Sequence, residues 1–139
     1  MKKLIYLSSI LLLVTACQPV EIQVVEAFHK DGSPKMVMDY LVSMGDSIPV
    51  YEVQYHKDGS KLLEGHYVDG LRDGEWISWY PDGSVWSKGF FAEGKRNGKS
   101  WVYHPNGKMY MEGSYEQGKK TGLWLVFDEE GNVVGKNEF

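Results

Sequence analysis

Glycine recurs along this chain with a single period. Gly59, Gly83, Gly107 and Gly131 stand 24 residues apart, and so do Gly65, Gly89 and Gly113, Gly70, Gly94 and Gly118, and Gly74, Gly98 and Gly122. Several registers that share one spacing mean one supersecondary unit repeated in tandem. An aromatic register, Tyr55, Trp79, Tyr103 and Phe127, keeps the same step, and a second runs Tyr67, Phe91, Tyr115. An earlier copy, Phe28-His29-Lys30-Asp31-Gly32-Ser33, matches Tyr55-His56-Lys57-Asp58-Gly59-Ser60 across 27 residues, so about three extra residues lie between Met44 and Val50. The last copy stops after one hairpin. The repeat domain therefore covers residues 21–139 in about four and a half units and leaves no room for a second domain.

Each unit reads as strand, tight turn, strand, looser turn. Trp76-Ile77-Ser78-Trp79-Tyr80 is a strand, Pro81-Asp82-Gly83 a turn, and Val85 to Phe91 the returning strand. Proline suits the second turn position and glycine the left-handed one. With 16 Gly and 14 % aromatics, the composition suits short strands between turns better than a helical bundle. A two-residue loop at Asp82-Gly83 would pair Pro81 with Ser84, whereas a three-residue loop closed by a left-handed glycine pairs Tyr80 with Ser84. The second choice segregates polarity better. It predicts one apolar face carrying Ile77, Trp79, Val85, Ser87, Gly89 and Phe91, and a mixed face carrying Trp76, Trp86, Phe90, Tyr110 and Trp124. The fold class is all-β: one elongated antiparallel sheet of tandem β-hairpins, with nine or so strands spanning roughly 40 Å. The mid-strand glycines Gly65, Gly89 and Gly113 are expected to leave gaps for neighbouring rings.

Residues 1–16 have the layout of an export signal. Lys2 and Lys3 form a charged start, and Leu4 to Val14 form an apolar stretch of about eleven residues, too short to span a membrane. Val14-Thr15-Ala16-Cys17 resembles the bacterial lipoprotein lipobox. The resemblance implies cleavage after Ala16 and lipidation of Cys17, the chain's one cysteine, with residues 17–20 as a short tether. Several acyl chains anchor stably where one does not. Loss of Lys2 and Lys3 takes the formal net charge from −4 to −6, which disfavours nucleic acid as a partner. Gln18 after the cysteine points to the outer membrane of a bacterial envelope.

The repeat also carries a family resemblance. Tyr110-Met111-Glu112-Gly113-Ser114-Tyr115-Glu116-Gln117-Gly118-Lys119-Lys120-Thr121-Gly122 resembles a MORN repeat: glycine, an aromatic two later, then glycines five and nine later. Gly65-Tyr67-Gly70-Gly74 and Gly89-Phe91-Gly94-Gly98 fit the same pattern. Leu63, Ser87 and Met111 stand where ordinary MORN units have Tyr, and Trp76, Ser100 and Trp124 where they have a further Gly. In this the chain is similar to the divergent repeats of bacterial YwqK-type proteins, often labelled antitoxins. The resemblance implies a hairpin-repeat sheet that binds other proteins or sits near membranes, without enzymatic activity.

The remaining residue patterns point the same way. His29, His56 and His104 share a register, but equivalent positions lie about 10 Å apart, too far to close a metal site, so no metal and no cofactor is expected. No Ser or Cys has the setting of a nucleophile. Glu64, Lys88 and Glu112 read as a charge ladder across the sheet. Arg72, Lys95, Arg96, Lys119 and Lys120 fall in the looser turns and are expected to form a basic edge suited to anionic headgroups. Trp76, Trp86, Phe90, Tyr110 and Trp124 are the expected partner-binding surface. The leading expectation is an envelope-anchored, non-enzymatic module that binds another protein, in one version a toxin. The alternative is a structural envelope protein binding lipid headgroups or glycan.

Overall fold

A computed structural model describes residues 18–139. The expected export signal and the expected lipidation of Cys17 fall outside the described residues. The chain folds into one ten-stranded antiparallel sheet in which every strand pairs with its neighbours in sequence order. The strands are β1 (Val20–Phe28), β2 (Pro34–Ser43), β3 (Asp46–Tyr55), β4 (Lys61–Val68), β5 (Leu71–Trp79), β6 (Val85–Ala92), β7 (Lys95–Tyr103), β8 (Met109–Glu116), β9 (Lys119–Phe127) and β10 (Val133–Glu138). The expected all-β hairpin array is what forms. The three extra residues of the first unit lengthen β2 and β3 to 10 residues each, where β4 to β9 have eight or nine.

Two kinds of turn alternate. At one edge Tyr80 N–H donates to Ser84 O at 2.9 Å and Gly83 N–H to Tyr80 O at 2.9 Å, the three-residue loop expected from Pro81-Asp82-Gly83. Gly83 has φ 84°, a conformation open to glycine at no steric cost. Asp82 Oδ1 accepts from the Ser84 amide at 2.9 Å and the Ser84 hydroxyl at 2.6 Å. Asp31 and Asp58 repeat the arrangement, and Asn106 keeps its backbone half. At the other edge Asp69-Gly70, both with positive φ, makes the two-residue turn that matches strand twist. The turns also stack: Gly94 N–H donates to Arg72 O at 2.9 Å and Gly118 N–H to Arg96 O at 2.8 Å.

The turn chemistry carries a pH dependence. The hydrogen bonds from Ser33, Ser60 and Ser84 hold the carboxyls of Asp31, Asp58 and Asp82 below the usual carboxylate range. A carboxyl lowered on folding stabilises the fold above the unfolded carboxylate range, and that stabilisation is lost as pH falls through the lowered value. Replacing all three by Asn keeps an amide acceptor, as Asn106 demonstrates, and removes the titration. Urea midpoints measured below about pH 4 should fall less steeply for the triple variant than for the parent. Parallel slopes would show that these turns do not contribute.

The register differs from the expectation by a bulge beside each three-residue loop. Trp79 pairs with Val85, but Ser78 pairs with Ser87, so Trp86 is the extra residue. Leu62 and Tyr110 are extra residues at the same place in their hairpins. The bulge moves the odd strands by one residue relative to the even ones. Trp76, not Ile77, therefore shares a face with Gly89. One row across the sheet runs Met38, Glu52, Gly65, Trp76, Gly89, Ser100, Gly113, and this side is the glycine face. The row behind it runs Val37, Val53, Glu64, Ile77, Lys88, Trp101, Glu112, Leu125, Lys136 on the opposite face. The expected charge ladder is thus interrupted. Ile77 separates Glu64 from Lys88, Trp101 separates Lys88 from Glu112, and Glu64 pairs with Lys61 at 2.7 Å while Lys88 pairs with Glu75 at 2.6 Å.

Candidate functional site

The five aromatic residues expected to form one binding surface separate into three groups. Trp76 and Trp124 belong to the core, 4 % and 2 % exposed. This corrects their assignment to a partner surface, and its cause is the bulge: it turns both indoles onto the glycine face, each flat against a strand glycine. A Cβ at Gly65 would lie 2.2 Å from Trp76 Cδ2, and one at Gly113 would lie 2.2 Å from Trp124 Cδ2. The indole N–H groups donate to His66 O and Ser114 O, each at 3.2 Å. Phe90 lies on the opposite face, half-buried, with its ring 6.3 Å from that of Trp101. Trp86 and Tyr110 remain exposed, at 46 % and 42 %. They are the bulge residues, without a register partner, and each meets one ring across its hairpin, Trp86 that of Tyr80 at 6.4 Å and Tyr110 that of His104 at 5.0 Å, which leaves the rest of each side chain open. With Tyr80, Val102 and His104 they border an open cleft of about 450 Å³.

The basic edge is also redistributed. Arg72 stacks 3.9 Å above the Trp76 ring, Lys120 lies 4.4 Å from Trp124, and Arg96 sits between Phe91 and Tyr115 at 5.4 and 5.3 Å. These three cations cap the core on the glycine face and do not project from the turn edge, contrary to expectation. The glycine register Gly74, Gly98, Gly122 explains the stacking. At Gly74 (φ 69°) the strand bulges between Gly65↔Trp76 and His66↔Asp73, which draws Arg72 back over the indole. Lys95 and Lys119 stay exposed at the edge, with Lys95 Nζ 3.4 Å from Gln117 Oε1.

Two features escaped the sequence reading. Glu52 is 3 % exposed and meets Arg72 at 3.7 Å, Gln54 and the Tyr67 hydroxyl. Burial, and then the bond to Glu52, push the Tyr67 hydroxyl up. Glu52 stands 24 residues before Trp76, so the repeat register itself marked it for the core. The second feature is the role of the histidine register. Nε2 of His29, His56 and His104 donates to the carbonyls of Tyr55, Trp79 and Phe127 at 3.1, 3.0 and 3.0 Å. Tyr80, which interrupts the series, sends its hydroxyl to Tyr103 O at 2.8 Å. The register is a clasp between successive hairpins, and any hydrogen-bond donor of similar reach serves. Among the described residues no three His, Cys, Asp or Glu side chains gather as a metal site requires. Tyr80→Phe removes only the clasp and should lower stability by about 1 kcal/mol, read by urea unfolding. An unchanged midpoint would mean the carbonyl finds water instead.

Residues 72–93 and 96–117 each match the MORN repeat variant family. Each matched segment starts at a capping arginine and ends in the next two-residue turn. No curated protein matches the chain. The match points to a repeat-based binding module.

Proposed function

We propose that this chain is an envelope lipoprotein, held at Cys17, whose repeat sheet is a non-enzymatic module for binding another protein. The observation that carries the reading is the exposure of Trp86 and Tyr110 beside the open cleft. Large aromatics that stay this exposed after packing against their neighbours, side by side along a cleft, mark a contact surface. Trp and Tyr give the most contact energy for the least ordering cost. Gln18 favours the outer membrane. The likeness to YwqK-type repeats supports a neutralising role, and a lipid anchor suits immunity against an incoming toxin.

The second reading is headgroup or glycan binding through the turn edge. With Arg72, Arg96 and Lys120 drawn over rings, Lys95 and Lys119 are left to carry it, which favours the protein-binding reading. Headgroup binding falls steeply with ionic strength, whereas an aromatic interface does not. The deciding experiment is a crosslinked pull-down from native membranes that compares the parent with Trp86→Ala/Tyr110→Ala, read by mass spectrometry. One dominant protein lost from the variant supports the module and identifies its partner. Recovery of lipid and bulk envelope protein alone, unchanged by the substitutions, overturns it.

A further inference from the structure

One device is complete at two places in the sheet and incomplete at a third. In the complete form a strand glycine receives an indole from the next strand, the indole N–H reaches the carbonyl one residue beyond that glycine, and a cation stacks on the outer ring face. Gly65, Trp76, His66 O and Arg72 make one copy, and Gly113, Trp124, Ser114 O and Lys120 the other. In the middle copy the glycine, the carbonyl position and the cation persist as Gly89, Phe90 and Arg96, but Ser100 stands where the indole would be. Among the described residues no side chain approaches closely enough to require glycine there. The nearest atoms that a Cβ at Gly89 would meet are Arg96 Nη1 and Ser100 Oγ at 3.6 Å and Lys99 O at 3.7 Å, ordinary contact distances. Glycine inside a strand weakens it unless another group approaches closely.

A cleft of about 50 Å³ opens at this place, with Trp76 and Phe91 among its walls and Ser78, Ser87 and Arg96 beside Gly89. Arg96 leans into the space the ring would take. Its side chain is exposed, so it can lift without moving the backbone and stack on an incoming ring as Arg72 stacks on Trp76. Charge adds a second criterion. Arg72 has the Glu52 carboxylate at 3.7 Å, whereas among the described residues no carboxylate lies within ion-pair distance of Arg96.

We propose that Gly89, Ser100 and Arg96 form a receptor site for a tryptophan side chain presented by a partner protein beside a carboxylate. The ring enters the missing indole's place, its N–H meets Phe90 O, and the carboxylate meets Arg96. The partner's being a protein rests on the reading above; the site itself does not.

The test uses the full chain, titrated with N-acetyltryptophan and followed through the amide NMR signals of Gly89 and Ser100. Saturable shifts are expected in the range of about 1 mM, the scale for a ligand this small. N-acetyltryptophanamide, which lacks the carboxylate, and N-acetylphenylalanine, which lacks the N–H, should each bind at least about threefold more weakly. Ser100→Trp fills the site from within, so it should raise the thermal midpoint and abolish the shifts. Arg96→Gln, which leaves the sheet intact, should erase the preference for the free acid over the amide. The proposal is overturned by silence at Gly89 and Ser100, by equal binding of acid and amide to the parent, or by undiminished binding to a folded Ser100→Trp chain. Partner capture by the Trp86/Tyr110 surface is read separately, so either idea can fail without the other.

Discussion

Trp124→Ala should cost about 3–5 kcal/mol, while Trp86→Ala should cost less than about 1 kcal/mol. The two residues are the same type in the same sheet, and the difference comes from where the hairpin bulge places them. Trp124 is 2 % exposed. Its ring lies over Gly113, meets Tyr115 edge-on at 5.1 Å and Phe139 at 6.3 Å, is capped by Lys120, and donates to Ser114 O. Alanine there removes the filler, leaves Ser114 O without its donor and exposes the stem of Lys120. A domain of this size has a total stability of about 5–15 kcal/mol, so a large part of it is at stake. The array is quasi-one-dimensional, so the loss should appear first as local opening. Hydrogen exchange should accelerate in β8 to β10 well before β2 to β4. Urea unfolding by circular dichroism gives the total, and hydrogen exchange its location. Equal costs for Trp124→Ala and Trp86→Ala would refute the observed register.

Alanine in place of the strand glycines separates the copies from one another. Gly65→Ala and Gly113→Ala each force a Cβ to within 2.2 Å of an indole Cδ2 and 2.3 Å of its Cε2. Those atoms are the fused centre of a rigid ring and not the end of a flexible chain. The ring must tilt away from the strand, lose its hydrogen bond and disturb the cation above it, an overpacking that costs about 1–3 kcal/mol. Gly89→Ala has 3.6 Å of room and no positive φ, so it should be neutral or stabilise by about 0.5 kcal/mol, because alanine restricts the unfolded chain. Three thermal melts decide the matter. Destabilisation by Gly89→Ala equal to that by Gly65→Ala would show that glycine serves strand bending at all three positions, not ring contact.

The glycine and aromatic spacing by itself makes the hairpin array legible in the sequence. The three-residue loop was legible too, because Pro-Asp-Gly has few conformations and the polarity of the flanking strands chose among them. The bulge after each loop was not. Trp86 and Tyr110 do not differ in type from aromatic residues that pair normally, and a bulge is a local backbone choice settled by the contacts that both strands make afterwards. Missing it shifted one strand of every hairpin to the wrong face, and that alone placed Trp76 and Trp124 outside. The positions of Arg72, Arg96 and Lys120 were hidden for the same reason. Each lies four residues before the indole position, too far to touch it along a regular strand, until the glycine between them folds the backbone back. The clasp was visible as a column of His and Tyr, but its use was not, since a ring nitrogen and a phenol become equivalent only when the acceptor is a carbonyl at fixed reach.

The clasps have one further consequence. The His and Tyr clasps, the stacked two-residue turns and the indole seated on a glycine each join neighbouring hairpins or strands, and none reaches past the adjacent unit. Length is therefore a free parameter of this architecture. Excising residues 73–96 would bring Asn97 to the place of Asp73 and leave Arg72 to continue into a glycine-bulged strand as before. Duplicating the same stretch would add a further segment with its neighbours already provided. A lineage carrying this sheet can thus lengthen or shorten its exposed surface by unequal recombination in single 24-residue steps, with no compensating change elsewhere in the chain.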